Sequence, residues 1–232
     1  MARPDGDLSA APLTRGVVLR KAAAVYDLLS PATMLWREGR INRRAVELLQ
    51  LRPGDRVLDV GCATGRVTLE VARHLDAACG GLAVGLDASP EMIRTARRKA
   101  PSGSCRFDLG VAEAVPYEDR SFDKAVSTFF FHHLNGQDKL ACLREVRRVL
   151  TEDGLFVLAD VDVPTNWLGR LCAACGQWLL KQPELDENIA GLLPSLFTEA
   201  GFTGVRRLAH DLGYVTTFVL RKNAPLERTC DA

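Results

Sequence analysis

The sequence predicts an α/β fold: a Rossmann-like, doubly wound, mostly parallel seven-stranded sheet with a C-terminal antiparallel hairpin and helical caps. Three observations predict it. Between residues 52 and 162, short apolar runs alternate with segments of helical period, as in a parallel sheet covered on both faces. The glycine loop in "RVLDVGCATG" (56–65) follows the first of those runs and opens a helical segment. After residue 200 two strand-like runs follow each other across a short turn, which reads as a hairpin at one sheet edge.

In chain order, residues 1–15 read as a flexible N-terminus and 16–50 as a helical cap. "VVLRKAAAVYDLLS" and "MLWREGRINRRAVELLQL" carry apolar residues three and four apart, with Pro31 between them. "RPGD" is a turn, and residues 51–162 form the core. There "RVLDV", "GLAVGLD", "SCRFDLG", "FDKAVSTFF" and "LFVLADV" read as strands. "RVTLEVARHL", "SPEMIRTARRKA" and "GQDKLACLREVRRVL" read as helices, the second with Ser89 as N-cap and Pro90 at its first position. "TEDG" before the fifth strand reads as a turn. Residues 163–200 carry two helical stretches, a lid and the last core helix. Residues 201–222 form the hairpin, and 223–232 are a tail.

Composition narrows the function classes. The 232 residues are 47% hydrophobic and 25% charged, with a formal net charge of +1. That is ordinary globular composition without the footprint of a nucleic-acid binder. "RTARRK" and "REVRRVL" alternate with apolar residues at helical spacing and read as solvated helix faces. No run approaches the roughly 20 apolar residues that span a bilayer, so a cytoplasmic protein is expected. The seven cysteines are scattered and odd in number, unlike a disulfide framework.

The glycine loop limits the ligand. In open α/β sheets ligands bind outside the carboxyl ends of the strands, where strand order reverses. Gly61 permits a tight turn and Gly65 a close backbone approach. A dinucleotide loop would place its second glycine at 63, but this chain has Ala63. A pyrophosphate is therefore disfavoured, and Asp59 before the loop would attract an ammonium group. Asp87 ends the second strand, where an acid accepts hydrogen bonds from both ribose hydroxyls. A ribose, a carboxylate and an ammonium without a pyrophosphate describe S-adenosylmethionine.

"VLDVGCATG", "VGLDASPEMI", "GVAEAVPYEDRSFD" and "REVRRVLTEDGLFVLAD", in this order and spacing, resemble the class I S-adenosylmethionine-dependent methyltransferases. The resemblance is greatest to the ubiquinone/menaquinone-biosynthesis-like group and covers about residues 40 to 162. It implies that Asp59, Gly61, Cys62 and Gly65 hold the methionine part, with Asp87 on the ribose and Ala88 and Met92 against the adenine. The family's acid after the third strand is replaced here by Val111. Ala112 could bind adenine through its backbone, and Glu113 could substitute. Thr128 matches a cofactor-facing position. Tyr26 resembles a cap residue whose ring would close over the sulfonium.

Methyl transfer from a sulfonium is a one-step displacement, so the protein mainly aligns the reacting atoms. "STFFFHHL" leaves the fourth strand at the ligand edge. His132 or His133 could act as a base; alternatively one caps the next helix and the other is buried. "WLGRLCAACGQWLLK" holds a Cys172/Cys175 pair inside an apolar arc of about 140°. That favours a lid lining an apolar acceptor pocket over a metal site, for which no further ligands lie nearby in sequence. The expected activity is in-line methylation of a small, apolar acceptor. The alternatives are a membrane-surface lipid or quinone methyltransferase and a non-catalytic S-adenosylmethionine-binding module.

Overall fold

The computed structural model describes residues 37–100, 103–180 and 183–223. The expected flexible N-terminus, most of the N-terminal cap with Tyr26, and nearly all of the tail lie outside the described residues. Within them, α1 (Glu38–Leu48) precedes β1 (Arg56–Val60), α2 (Arg66–Ala72), β2 (Leu82–Asp87), α3 (Pro90–Lys99), β3 (Cys105–Leu109) and β4 (Phe122–Thr128). Then come α4 (Gly136–Val149), β5 (Leu150–Val161), α5 (Trp167–Leu180), α6 (Pro183–Ile189), α7 (Leu193–Glu199), β6 (Gly204–Asp211) and β7 (Val215–Arg221).

The strands form one sheet in the order β3, β2, β1, β4, β5, β7, β6. β1 to β5 are mutually parallel, and β7 inserts antiparallel between β5 and β6. The expected seven-stranded Rossmann-like architecture is therefore the one observed. Strand order reverses between β1 and β4, which places the ligand edge at their carboxyl ends. At the hairpin turn Leu212 and Gly213 both have positive φ, and Tyr214 N–H closes the turn on the Asp211 carbonyl at 3.2 Å. Three residues, Leu212 to Tyr214, join the paired Asp211 and Val215.

The central strands carry apolar side chains on both faces, and helices cover both. On one face α4 (Cys142, Leu143, Val146) and α7 (Leu196, Phe197) pack on Leu58, Val84, Phe156 and Phe218. On the other, α1 (Ala45, Val46) with the following Leu49, and α2 (Val67, Val71), pack on Val57, Val126, Val157 and Val219. The 3.6-residue spacing of those apolar positions is what made the helices readable. Ser89 caps α3 by accepting from Met92 N–H at 3.4 Å, and Pro90 is its first residue, as the sequence predicts.

Two local expectations differ. The "TEDG" stretch is not a separate turn: β5 starts at Leu150, directly after α4, and pairs with Phe122 before a register shift. The fully buried Leu150 side chain anchors the early start. Among the described residues the segment before the hairpin holds three helices, not two; Pro183 opens the second, and the positive-φ Gly191 lies between the second and third.

Candidate functional site

A cleft of about 1040 Å³, counting its open mouth, lies at the carboxyl ends of β1 to β4. Its floor is the glycine loop. Asp59 leaves β1 pointing under that loop, and its carboxylate accepts the Thr68 hydroxyl of α2 at 2.5 Å. Burial dominates its ionisation and pushes the carboxyl up to about 7; the Thr68 hydrogen bonds oppose this and the neighbouring Asp87 adds to it. Gly61 and Cys62 both donate backbone N–H to the Leu86 carbonyl, at 2.9 and 3.0 Å, fastening the loop to β2.

The two glycines serve different needs. Gly61 has φ +75° and lies under the Phe130 ring, where a side chain would collide. Gly65 has φ +84°, and an added Cβ would come within 2.5 Å of the Phe107 ring. Gly61, Cys62, Ala63 and Thr64 face the cleft, whereas Gly65 does not and instead starts α2. Ala63 adopts φ +46°, a left-handed conformation reached here without a glycine. A hydrogen bond holds that conformation: Ala63 N–H donates to Asp87 Oδ2 at 2.9 Å.

Asp87 thus fastens two elements at once. Its Oδ1 accepts Ser89 N–H at 2.8 Å, at the start of α3. Burial raises its carboxyl above the usual range, and the two backbone donors pull it back. Each oxygen keeps a further lone-pair direction for a ligand hydroxyl. Ala88 and the buried Met92 form an apolar wall beside it.

The segment after β3 supplies Gly110, Ala112 and Glu113 to the cleft, while Val111 points elsewhere. Arg148 of α4 holds this segment by donating to the Val115 and Tyr117 carbonyls at 2.9 and 2.8 Å. Glu145 completes the clamp, accepting Val115 N–H at 2.8 Å.

The opposite wall is Thr128, Phe129, Phe130, His133 and Leu134. Phe129 holds φ +52°, a costly conformation for an aromatic residue. Asp160, fully buried in β5, organises this turn. Its Oδ2 accepts Phe130 and Phe131 N–H at 2.9 and 2.7 Å, and its Oδ1 meets His132 Nδ1 at 2.7 Å. Burial works against the Asp160 charge, but the His132 charge and hydrogen bond hold its carboxyl below the usual range. The two histidines therefore part: His132 is buried on Asp160 away from the cleft, and His133 lines it. Asp160 escaped the sequence reading; its signal was one acid inside the otherwise apolar run "LFVLADV".

Glu38 and Asn42 of α1 also line the cleft and were not singled out from sequence. Glu38 pairs with Arg66 at 3.2 Å. With Asp59, Asp87 and Glu113, Glu38 gives the cleft a surplus of carboxylates over the Arg66 guanidinium, which suits a ligand carrying positive charge.

The described side chains of α5 do not line this cleft. Trp167 and Leu171 face outward, 73% and 54% exposed, while Cys172 packs inward beside Ile41 and Tyr214. Among the described residues no group of three His, Cys, Asp or Glu could hold a metal ion. No helix among them is long and apolar enough to cross a membrane.

Residues 57–154 match a family described as a methyltransferase domain. An uncharacterized methyltransferase of Synechocystis is 31% identical over 201 residues, covering 86% of this chain and 92% of that one. The ubiquinone/menaquinone biosynthesis C-methyltransferase of Citrifermentans bemidjiense is 40% identical over 144 residues, 60% of either chain. The crystal structure of the YcgJ protein of Bacillus subtilis superposes with a TM-score of 0.61 at 20% identity, over 80% of this chain and 99% of that one.

Proposed function

The chain belongs to the class I S-adenosylmethionine-dependent methyltransferases, and from that premise we propose that it methylates a small, apolar acceptor by direct in-line transfer. The cofactor's demands fit the residues present: Asp87 has lone pairs to spare for ribose hydroxyls, and Ala88, Met92 and Ala112 offer an apolar slot for the adenine. The glycine loop, with Asp59 beneath it, would hold the amino-acid end. When bound, S-adenosylmethionine supplies an electrophilic methyl group on a sulfonium.

The observation that carries the acceptor reading is the wall of Phe129, Phe130 and Leu134 beside Thr128 and His133. Aromatic rings exclude water and orient a flat or apolar acceptor without needing to ionise it. Alignment alone can supply several kcal/mol of the barrier. Where the acceptor must lose a proton, His133 is the side chain that would take it, since it faces the cleft. His132 then acts through the turn that it and Asp160 hold in place.

The test is a methyl-transfer assay with isotopically labelled S-adenosylmethionine and a panel of quinols, phenols and apolar amines. Labelled product from an apolar member supports the reading. Cofactor binding with turnover only of highly polar acceptors overturns it.

The outward Trp167 and Leu171 on α5 favour a second reading, in which the acceptor is a lipid or quinone met at a membrane surface. The quinone relative of C. bemidjiense is consistent with this, although the match spans about 60% of that protein. Liposome flotation separates the two: Trp167→Ser with Leu171→Ser abolishes co-flotation under the membrane reading, and no flotation of the unaltered chain excludes it.

A further inference from the structure

Glu38 and Asn42 stand four residues apart on α1 and both face the cleft. They are more than nine-tenths buried, at 8% and 7% exposure. One Glu38 oxygen meets Arg66, but Glu38 Oε2 and Asn42 Oδ1 have no hydrogen-bond partner among the described residues. Buried acceptors without donors are costly, and two of them on one wall of a ligand cleft point to donors that arrive with the ligand.

Their place in the cleft narrows the ligand group. Arg66, the partner of Glu38, directly follows Gly65, so Glu38 stands beside the end of the glycine loop, with Asn42 one turn on along α1. Two acceptors, one of them a carboxylate, suit a compact cation with several N–H donors. An aromatic or aliphatic acceptor body offers no such donors, and a ribose offers hydroxyls that Asp87 already suits.

We propose that Glu38 and Asn42 receive the ammonium group at the amino-acid end of S-adenosylmethionine, with Arg66 orienting the Glu38 carboxylate. This rests on the cofactor assignment above. Specificity for a ligand bearing a free amine then comes from α1 as well as from the glycine loop.

The test compares two nucleosides by calorimetric titration. S-adenosylhomocysteine carries the ammonium; 5′-methylthioadenosine keeps the adenosine and sulfur but lacks the amino acid. Glu38→Gln and Asn42→Leu keep side-chain size, and thermal melting confirms that each variant folds. We expect the Kd for S-adenosylhomocysteine to rise about tenfold in Glu38→Gln and about threefold in Asn42→Leu, with methylthioadenosine affinity held within about twofold. Equal loss for both nucleosides, or no loss for either, would overturn the proposal. Loss confined to methylation of the acceptor would also overturn it, and would move the pair to the acceptor site. A parent chain that binds neither nucleoside would overturn the cofactor assignment itself, an outcome distinct from any change seen only in the variants.

Discussion

Asp59 lies beneath the glycine loop with its carboxyl pushed up from 3.8 to about 7, chiefly by burial. Between those values the folded chain keeps a proton that the unfolded chain releases, so Asp59 makes the fold less stable as pH rises through that window. A bound ammonium reverses the preference and favours the ionised form. Ligand binding near pH 6.5 is therefore expected to release a proton in the parent chain and not in Asp59→Asn. Titration of S-adenosylhomocysteine in buffers of different ionisation enthalpy measures this, and a buffer-independent heat in the parent chain counts against it. Asp160 has the opposite sign. Its depressed carboxyl contributes stability above the usual carboxylate range that is lost as pH falls through its folded value. Asp160→Ala strands His132 and three backbone N–H groups, and should cost about 3–5 kcal/mol by denaturant titration. A loss under about 1 kcal/mol would show that the turn stands without it. At this scale the sequence pointed to Asp59 and Asp87, whose position in a motif implies a role, and both line the cleft. It did not reveal Asp160, Glu38 or Asn42, whose significance comes from partners 28 to 30 residues away or from a partner's absence.

At the scale of elements, the glycine loop and α2 form one unit whose shape depends on Gly65. Gly65→Ala would force a side chain at φ +84° against Phe107 and Ala96. A cost of about 2–4 kcal/mol is expected from strain and overpacking together, readable as a shift of the denaturant midpoint. The segment after β3 is held instead by α4, through the Arg148 and Glu145 clamp. Arg148→Met should speed amide exchange at Val115 and Tyr117 and weaken nucleoside binding while leaving α4 protected. Unchanged exchange there would mean that the clamp does not order the segment. The helices were legible because apolar spacing and caps are local, as at Ser89 and Pro90. The early start of β5 was not, because pairing of Leu150 with Phe122 is a long-range choice that overrides the turn propensity of "TEDG". The outward turn of Trp167 and Leu171 was hidden for a similar reason. A helical wheel gives the width of an apolar stripe but not which part of it meets the core.

For the whole molecule, a mostly parallel sheet ending in a hairpin was readable from alternation and the last two strands, since parallel strands need crossovers and a hairpin does not; the strand order itself was not, because it is set by long-range pairing. That topology places the reversal of strand order between β1 and β4, and the cleft with its carboxylate-rich walls forms there. The wall proposed for the acceptor was less legible than the proposed cofactor site, because it is assembled by a turn after β4 and by its hold on β5. The central claim is that this cleft binds S-adenosylmethionine through Asp87. Calorimetric titration of the parent chain and of Asp87→Ala tests it most directly. A single site is predicted in the parent, weakened about a hundredfold in the variant as charge-assisted hydrogen bonds to the ribose are lost. No binding by the parent chain, or equal affinity in a folded Asp87→Ala variant, would contradict it.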